Sequence, residues 1–281
     1  MIDDESYNTT NWNWLKDRIY IEEDGKMSMP HVGIDITKEC NMRCAFCSHL
    51  SPLMHGSFSK DEIFNSIELW SKKINPKRIG ILGGEPLLHP NFEDIVLYSH
   101  EHWPQSKILV ITNGLCIPKL DRNFLSLISK IGRIGFVVSQ HIDSPKWKDK
   151  IIEMKKYISE YNIPFYIRKS YSKWMVSYQK DSVGHYVPFN CNPQKSWSVC
   201  EGKSFYKIHD NKLWYCTRLV SVIQAKAEGI FGKEWNDIAA HVAMSLDNSQ
   251  QEILNYLKQE SVPECSMCPE VLETVVPYQI V

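Results

Sequence analysis

CNMRCAFC, residues 40–47, places three cysteines within eight positions, and the next cysteine in the chain is Cys116. Structural zinc sites take four ligands, commonly as two close pairs, so this stretch alone falls one ligand short. Three thiolates are enough to hold a four-iron cluster and leave one iron open to a further ligand. The stretch follows VGIDI (32–36), a short β-branched apolar run. That order puts the cysteines in a loop at the carboxyl end of a strand, where parallel α/β folds build their sites.

Working outward, four more strand candidates follow: RIGIL (78–82), KILVI (107–111), RIGFVV (133–138) and PFYIR (164–168). Longer amphipathic segments alternate with them, the pattern of strand and helix units around a parallel sheet. SKDEIFNSIELWSKK predicts a helix capped by Ser59 with Glu62 three residues on, burying Ile63, Ile67 and Trp70. NFEDIVLYSHEH and the segments 118–130 and 145–160 read as helices as well. From about residue 171 to 199 no steady period is visible, which predicts a long connecting segment. KSFYKIHDNKLWYC (203–216) reads as a hairpin turning at Asp210-Asn211, a dipeptide that tolerates left-handed backbone. Helical stretches are expected over 234–246 and 249–259.

The chain has 281 residues, 43% hydrophobic and 23% charged, with 32 Lys+Arg against 33 Asp+Glu. This is the composition of a globular protein with one large core, and its balanced charge argues against a nucleic-acid partner. The start, MIDDESYNTTNWNWLKDR, lacks the basic and then apolar pattern of a signal peptide, and no run approaches a membrane span. A cytoplasmic location is therefore expected, in which clustered thiols more often mean metal than disulfide.

Cys40-x3-Cys44-x2-Cys47, Phe46 directly before the third cysteine, and GGEP at 83–86 together resemble the radical S-adenosylmethionine (radical SAM) enzymes. The resemblance implies an α/β fold, a partial (β/α)6 TIM-like barrel. In it Cys40, Cys44 and Cys47 hold a [4Fe-4S] cluster whose open iron binds S-adenosyl-L-methionine, and the resulting 5′-deoxyadenosyl radical abstracts hydrogen. Cofactor contacts are implied for Phe46, Gly83, Gly84, Glu85, Pro86, Thr112, Asn113, Ser139 and Arg168. Gly83-Gly84 would let backbone approach a ligand, and Glu85 would accept a hydrogen bond from the cofactor ammonium. Bland readings stand beside these: a zinc knuckle borrowing a distant fourth cysteine, a simple turn at Thr112-Asn113-Gly114, and a surface ion pair at Arg168.

Cys200 precedes the hairpin and Cys216 closes it, while Cys265-Ser-Met-Cys268 adds a pair at chelating spacing. These four resemble the twitch auxiliary-cluster domain, a shortened SPASM-like unit of a hairpin plus helix that binds a second [4Fe-4S] cluster. A structural zinc site has the same four-thiolate signature. The resemblance divides the chain into an N-terminal extension (1–30), a radical SAM core (31–170), a connecting segment (171–199) and a C-terminal auxiliary-cluster domain (200–281).

Size, hairpin order and four-cysteine ligation are similar to the aminocyclitol dehydrogenases of the 2-deoxy-scyllo-inosamine dehydrogenase type. That likeness implies oxidation of a carbinol in a sugar, aminocyclitol or sugar nucleotide, with flavodoxin or ferredoxin as reducing partner. Epimerisation of a similar carbon, with Cys116 or Cys191 returning hydrogen, is one alternative, and peptide or protein side-chain modification is another. Each of those two cysteines has a plain reading too, as a small buried hydrophobe. A metal-stabilised interaction module is opposed by the GGEP and TNG strand tips. Arg168, Lys169, His141 and Asp143 are the proton-acceptor candidates near strand ends, and His49 and His55 are expected around the triad.

Overall fold

The computed structural model describes residues 12–170 and 176–271, so expectations for 1–11, 171–175 and 272–281 lie outside the described residues. A short helix α1 (Trp12–Lys16) and strands β1 (Tyr20–Ile21) and β2 (Met27–Met29) come first. Trp12 packs edge-on against Trp197 with ring centroids 5.5 Å apart. The core then begins with β3 (Val32–Thr37), buried along its whole length.

Helix α2 (Lys60–Ser71) starts with the expected capping box: Ser59 accepts from the Glu62 N–H, and the Glu62 carboxylate accepts from the Ser59 N–H at 2.8 Å. It buries Ile63, Ile67 and Trp70, the stripe read from the sequence. Next come β4 (Ile74–Pro76), β5 (Arg78–Gly83), α3 (Phe92–His102) and β6 (Lys107–Thr112). The single helix expected over 118–130 is broken by a 3-10 turn at Ile117–Lys119. Only then does α4 (Arg122–Ile131) start, at Asp121, whose carboxylate accepts from the Asn123 and Phe124 N–H groups. Gly132, left-handed at φ 68°, closes it. β7 (Ile134–Gln140), α5 (Pro145–Ser159) and β8 (Phe165–Lys169) complete the alternation. β3, β5, β6, β7 and β8 pair in parallel in that order. β3 and β7 are buried at every position, which is why they read as continuous apolar runs.

Beyond residue 175 the connecting segment holds a small antiparallel pair, β9 (Gln179–Lys180) with β10 (Tyr186–Val187), and α6 (Pro193–Ser198) capped by Asn192. The expected hairpin forms from β11 (Tyr206–His209) and β12 (Lys212–Trp214), and Asp210 and Asn211 take φ 51° and 53° at its turn. β11 also pairs in parallel with β3, giving a seven-stranded sheet of order β12-β11-β3-β5-β6-β7-β8. The C-terminal hairpin is thus hydrogen-bonded onto the core sheet.

α7 (Thr217–Ala227) has no counterpart among the expected elements: Val220, Val222 and Ile223 weaken its helical signal. Of the helix expected over 234–246 only a 3-10 turn at Lys233–Trp235 and α8 (Asn236–Ala239) form. Met244 instead exchanges backbone hydrogen bonds of 2.8 and 3.0 Å with Leu213. α9 (Gln250–Leu257) follows with a Ser249/Glu252 capping box. The result is an α/β fold with a partial, TIM-like parallel sheet. Among the described residues no helix is long and apolar enough to cross a membrane.

Candidate active site

The register of β3 against β5 shifts between Asp35 and Thr37, an irregularity that re-aims the chain just before the cysteine loop. The tip of β5 lies directly under that loop. Gly84 N–H donates to Thr37 O at 2.8 Å and Glu85 N–H to Glu39 O at 2.7 Å. A Cβ at Gly83, which has φ 139°, would stand 2.2 Å from Thr37 O, and one at Gly84 would stand 2.1 Å from Glu39 O. The close approach these glycines permit includes that of the cysteine loop's own backbone, and both glycines also face the cavity that the loop encloses.

Cys40, Cys44 and Cys47 line one cavity of about 100 Å³ with Gly83, Gly84 and Glu85. Thr112, Asn113, Ser139 and Arg168, from the tips of β6, β7 and β8, line it as well. Ser139 Oγ accepts from Arg168 Nη2 at 2.9 Å. Four expected residues are not among its lining. Phe46, in left-handed backbone at φ 53°, packs on Tyr178 with centroids 5.6 Å apart, and Pro86 opens a 3-10 turn. Cys116 receives a weak hydrogen bond from Asn41 Nδ2 at 3.6 Å, and Cys191 is tied by its N–H to Ser266 O. Of the other candidates, His49 and His141 line the cavity. His55 is 71% exposed beside Glu39, and Asp143 pairs with Lys148 at 2.8 Å.

Glu85 is 1% exposed and already busy. Its Oε1 accepts from Thr112 Oγ1 at 2.6 Å and from Leu87 N–H at 3.2 Å, and its Oε2 accepts from Asn113 N–H at 2.8 Å. An ionised carboxylate has about four lone-pair sites, so one, on Oε2, is left for a ligand ammonium. Burial pushes the carboxyl up to about 7, against the lowering effect of the Thr112, Asn113 and Leu87 hydrogen bonds. Glu85 ties the tips of β5 and β6 together whatever else it binds. Glu85→Ala would orphan two buried donors, Thr112 Oγ1 and Asn113 N–H, and the half-buried Leu87 N–H, and an expected loss of about 2–4 kcal/mol in unfolding stability would register as a lower urea midpoint. An unchanged midpoint would return Glu85 to a purely ligand-facing role.

Beneath the cavity lies a charge cluster that the sequence reading passed over. Asp35 on β3 and Lys207 on β11 form an ion pair of 2.5 Å with side chains 6% and 0% exposed. His49 Nε2 stands 3.6 Å from the other Asp35 oxygen. Burial is the largest influence on the Asp35 carboxyl and works to raise it, but the Lys207 ammonium with its hydrogen bond and the nearby His49 and His209 together hold it below the usual range. Burial drives the His49 imidazole down to about 4 despite Asp35, and it drives His141 down to about 4 with help from Arg168. An aspartate in the middle of the apolar VGIDI run was the available signal: a carboxylate on a fully buried strand requires a partner.

A second cavity is lined by Cys200, Cys216, Cys265 and Cys268. Backbone holds its walls together: Phe189 N–H bonds to Met267 O at 3.1 Å, and Ser196 Oγ donates to Cys268 O at 2.9 Å. Gly202 N–H donates to Cys200 Sγ at 3.3 Å, and Arg218 Nη1 donates to Cys268 Sγ at 3.5 Å. Burial pushes the Cys40 and Cys268 thiols up to about 12 each, so metal loading would displace protons from both. No disulfide joins the nine cysteines. Among the described residues no three His, Cys, Asp or Glu stand close enough to share a single metal ion.

Among curated proteins, the chain is similar to GTP 3′,8-cyclase of Helicobacter pylori, 29% identical over 98 residues, which is 33% of this chain and 30% of the relative. The probable GTP 3′,8-cyclase of Archaeoglobus fulgidus is 31% identical over 98 residues, 35% of this chain and 32% of that one. The chain thus matches about a third of the length of these relatives. Among solved structures, BtrN in complex with AdoMet and 2-DOIA aligns at 16% identity and TM-score 0.47, over 85% of this chain and 90% of that one. Residues 34–164, slightly under half of the chain, match the Radical SAM superfamily; they hold the triad, the GGEP tip and the strands β5, β6 and β7, while Arg168 on β8 lies beyond the matched segment.

Proposed function

We propose that the protein is a radical SAM oxidoreductase that takes hydrogen from a carbinol carbon of a carbohydrate-like small molecule and oxidises it by two electrons. Sugars, aminocyclitols and sugar nucleotides are the substrate class. The observation that carries this reading is the presence of two separate cysteine-lined cavities, a triad at the strand tips and a set of four at the hairpin. When bound, S-adenosyl-L-methionine on a reduced [4Fe-4S] cluster supplies a hydrogen-abstracting radical, and a second [4Fe-4S] cluster supplies a one-electron acceptor. The proposed units are an extension (1–30), the radical core (31–170), a connection (171–199) and an auxiliary-cluster unit (200–281).

Cys40, Cys44 and Cys47 would hold the first cluster, and Cys200, Cys216, Cys265 and Cys268 the second. Arg168, steadied by Ser139, directs a guanidinium fork at a carboxylate or hydroxyl oxygen in the cavity. His49 and His141 line the same cavity and are neutral at pH 7, the state that accepts a proton from a carbinol hydroxyl. The backbone packing of the cysteine loop on Gly83-Gly84 fixes the triad against these groups. The implied reductant is a small one-electron protein such as flavodoxin or ferredoxin. The name of the curated relatives supports the radical core and says little of the substrate, since the overlap is confined to about a third of each chain.

Oxidation is favoured over epimerisation because neither Cys116 nor Cys191 is among the residues lining the triad cavity, where a hydrogen donor would have to reach the substrate. Candidate alcohols deuterated at the carbinol carbon, supplied under reducing, anaerobic conditions, are expected to pass deuterium into 5′-deoxyadenosine and to emerge two hydrogens poorer. A product at the substrate's oxidation level, carrying solvent deuterium at an inverted carbon, would replace this reading with the epimerase.

A further inference from the structure

Arg218 stands in the first turn of α7, two residues after Cys216, and lines the cavity of the four cysteines. Its Nη1 donates to Cys268 Sγ at 3.5 Å. Among the described residues lining that cavity, the one carboxylate is Glu264, and it is paired with His241 Nδ1 at 3.1 Å. The other cation of the wall, Lys203, donates to Ser198 O at 2.8 Å and sits over the Trp197 ring at 4.8 Å. Through its bond to Cys268 the guanidinium charge faces sulfur. Cluster potentials follow net charge, hydrogen bonds to the sulfurs and exposure to water.

We propose that the charge of Arg218 raises the reduction potential of the auxiliary cluster, so that it can accept the electron released by the substrate. A cluster with four thiolate ligands is anionic, and adding an electron makes it more so. A fixed positive charge in the same low-dielectric cavity stabilises the reduced form more than the oxidised one. In the overall oxidation, one hydrogen atom leaves the carbinol carbon, one proton leaves its hydroxyl for a base of the active-site cavity, and one electron goes to the auxiliary cluster. Arg218 acts on the last of these without touching substrate, which makes it a positioning residue. The inference rests on the reading that Cys200, Cys216, Cys265 and Cys268 hold a four-iron cluster.

The test uses the full chain with Cys40→Ala, Cys44→Ala and Cys47→Ala, so that the auxiliary cluster is the one under observation, and follows its reduction by potentiometric titration. Arg218→Met, neutral and of similar length, is expected to lower the equilibrium constant for electron uptake about tenfold or more, a midpoint about 59 mV lower for a one-electron couple. Arg218→Lys, which keeps the charge, is expected to lose less than half of that. The proposal is overturned by an unchanged midpoint in an Arg218→Met protein with full iron. It is overturned equally if Arg218→Lys falls as far as Arg218→Met, or if Arg218→Met binds no iron and so reports an assembly role. A parent that holds zinc or no iron would instead remove the cluster reading itself, and the Arg218 proposal with it.

Discussion

Alanine at Cys40, Cys44 and Cys47 together is expected to cut the iron of anaerobically reconstituted protein from about eight to about four per chain and to abolish cleavage of S-adenosylmethionine. The effect should be local. The three thiols sit in a loop whose backbone is held by the Gly84 and Glu85 N–H bonds to Thr37 and Glu39, and none of those bonds involves a cysteine side chain. The sheet below is kept by its own ladder, so secondary structure should survive the substitution. Alanine at Cys265 and Cys268 should remove the other half of the iron and leave the triad's cluster in place, because its ligands line a different cavity. Iron and zinc are measured by elemental analysis, and cofactor cleavage by the 5′-deoxyadenosine formed. About four irons with one zinc in the unaltered chain would leave the radical core standing and make the C-terminal site structural.

The second large effect is expected from Lys207→Met. It leaves Asp35, a side chain 6% exposed, without the ammonium that compensates its charge, and breaking a buried pair in this way costs about 3–5 kcal/mol. The surface pair Lys72–Glu68, at 2.8 Å but with side chains 63% and 51% exposed, should shift the midpoint little when either partner is replaced, because water screens both charges. Replacing both buried partners, Lys207→Met with Asp35→Leu, should recover most of the loss, since two apolar groups leave no charge to solvate. Urea denaturation of the four proteins gives the comparison through their midpoints. A Lys207→Met midpoint equal to that of the surface variant would mean that water reaches Asp35 and that the pair does not hold β11 to β3. The pair also bears on the active site, since Asp35 carries the His49 contact beneath the cavity.

Much of this molecule is written locally. Four of the five strands that carry the triad cavity were visible as apolar runs because a parallel sheet covered on both faces buries consecutive residues, whereas β8, half-buried to exposed, was visible through its aromatic and β-branched Phe165, Tyr166 and Ile167. The start of α2 was visible because a capping box is a four-residue signal, and the turn at Asp210-Asn211 because left-handed backbone restricts composition. α7 was lost because β-branched residues at helical spacing read as neither helix nor strand until packing decides. The helix expected over 234–246 stopped at Ala239 because Met244 found a β partner in Leu213, a pairing that local propensity does not register.

By itself the sequence determined the cysteine triad, the GGEP tip, the order of strands and helices, and hence the radical SAM core, since each is a property of a few neighbouring residues. Tertiary structure alone decided that β11 joins β3 and so seats Lys207 against Asp35, 172 residues away in sequence. It alone turned the two glycines toward the cysteine loop, filled most of the Glu85 carboxylate with Thr112, Asn113 and Leu87, and aimed Arg218 at the sulfur of Cys268. The division has one physical cause. Periodicity, capping and turn chemistry act over a few bonds and leave their mark on composition, whereas the partner of a buried charge is chosen by which distant segments the collapsed core brings within a few ångströms.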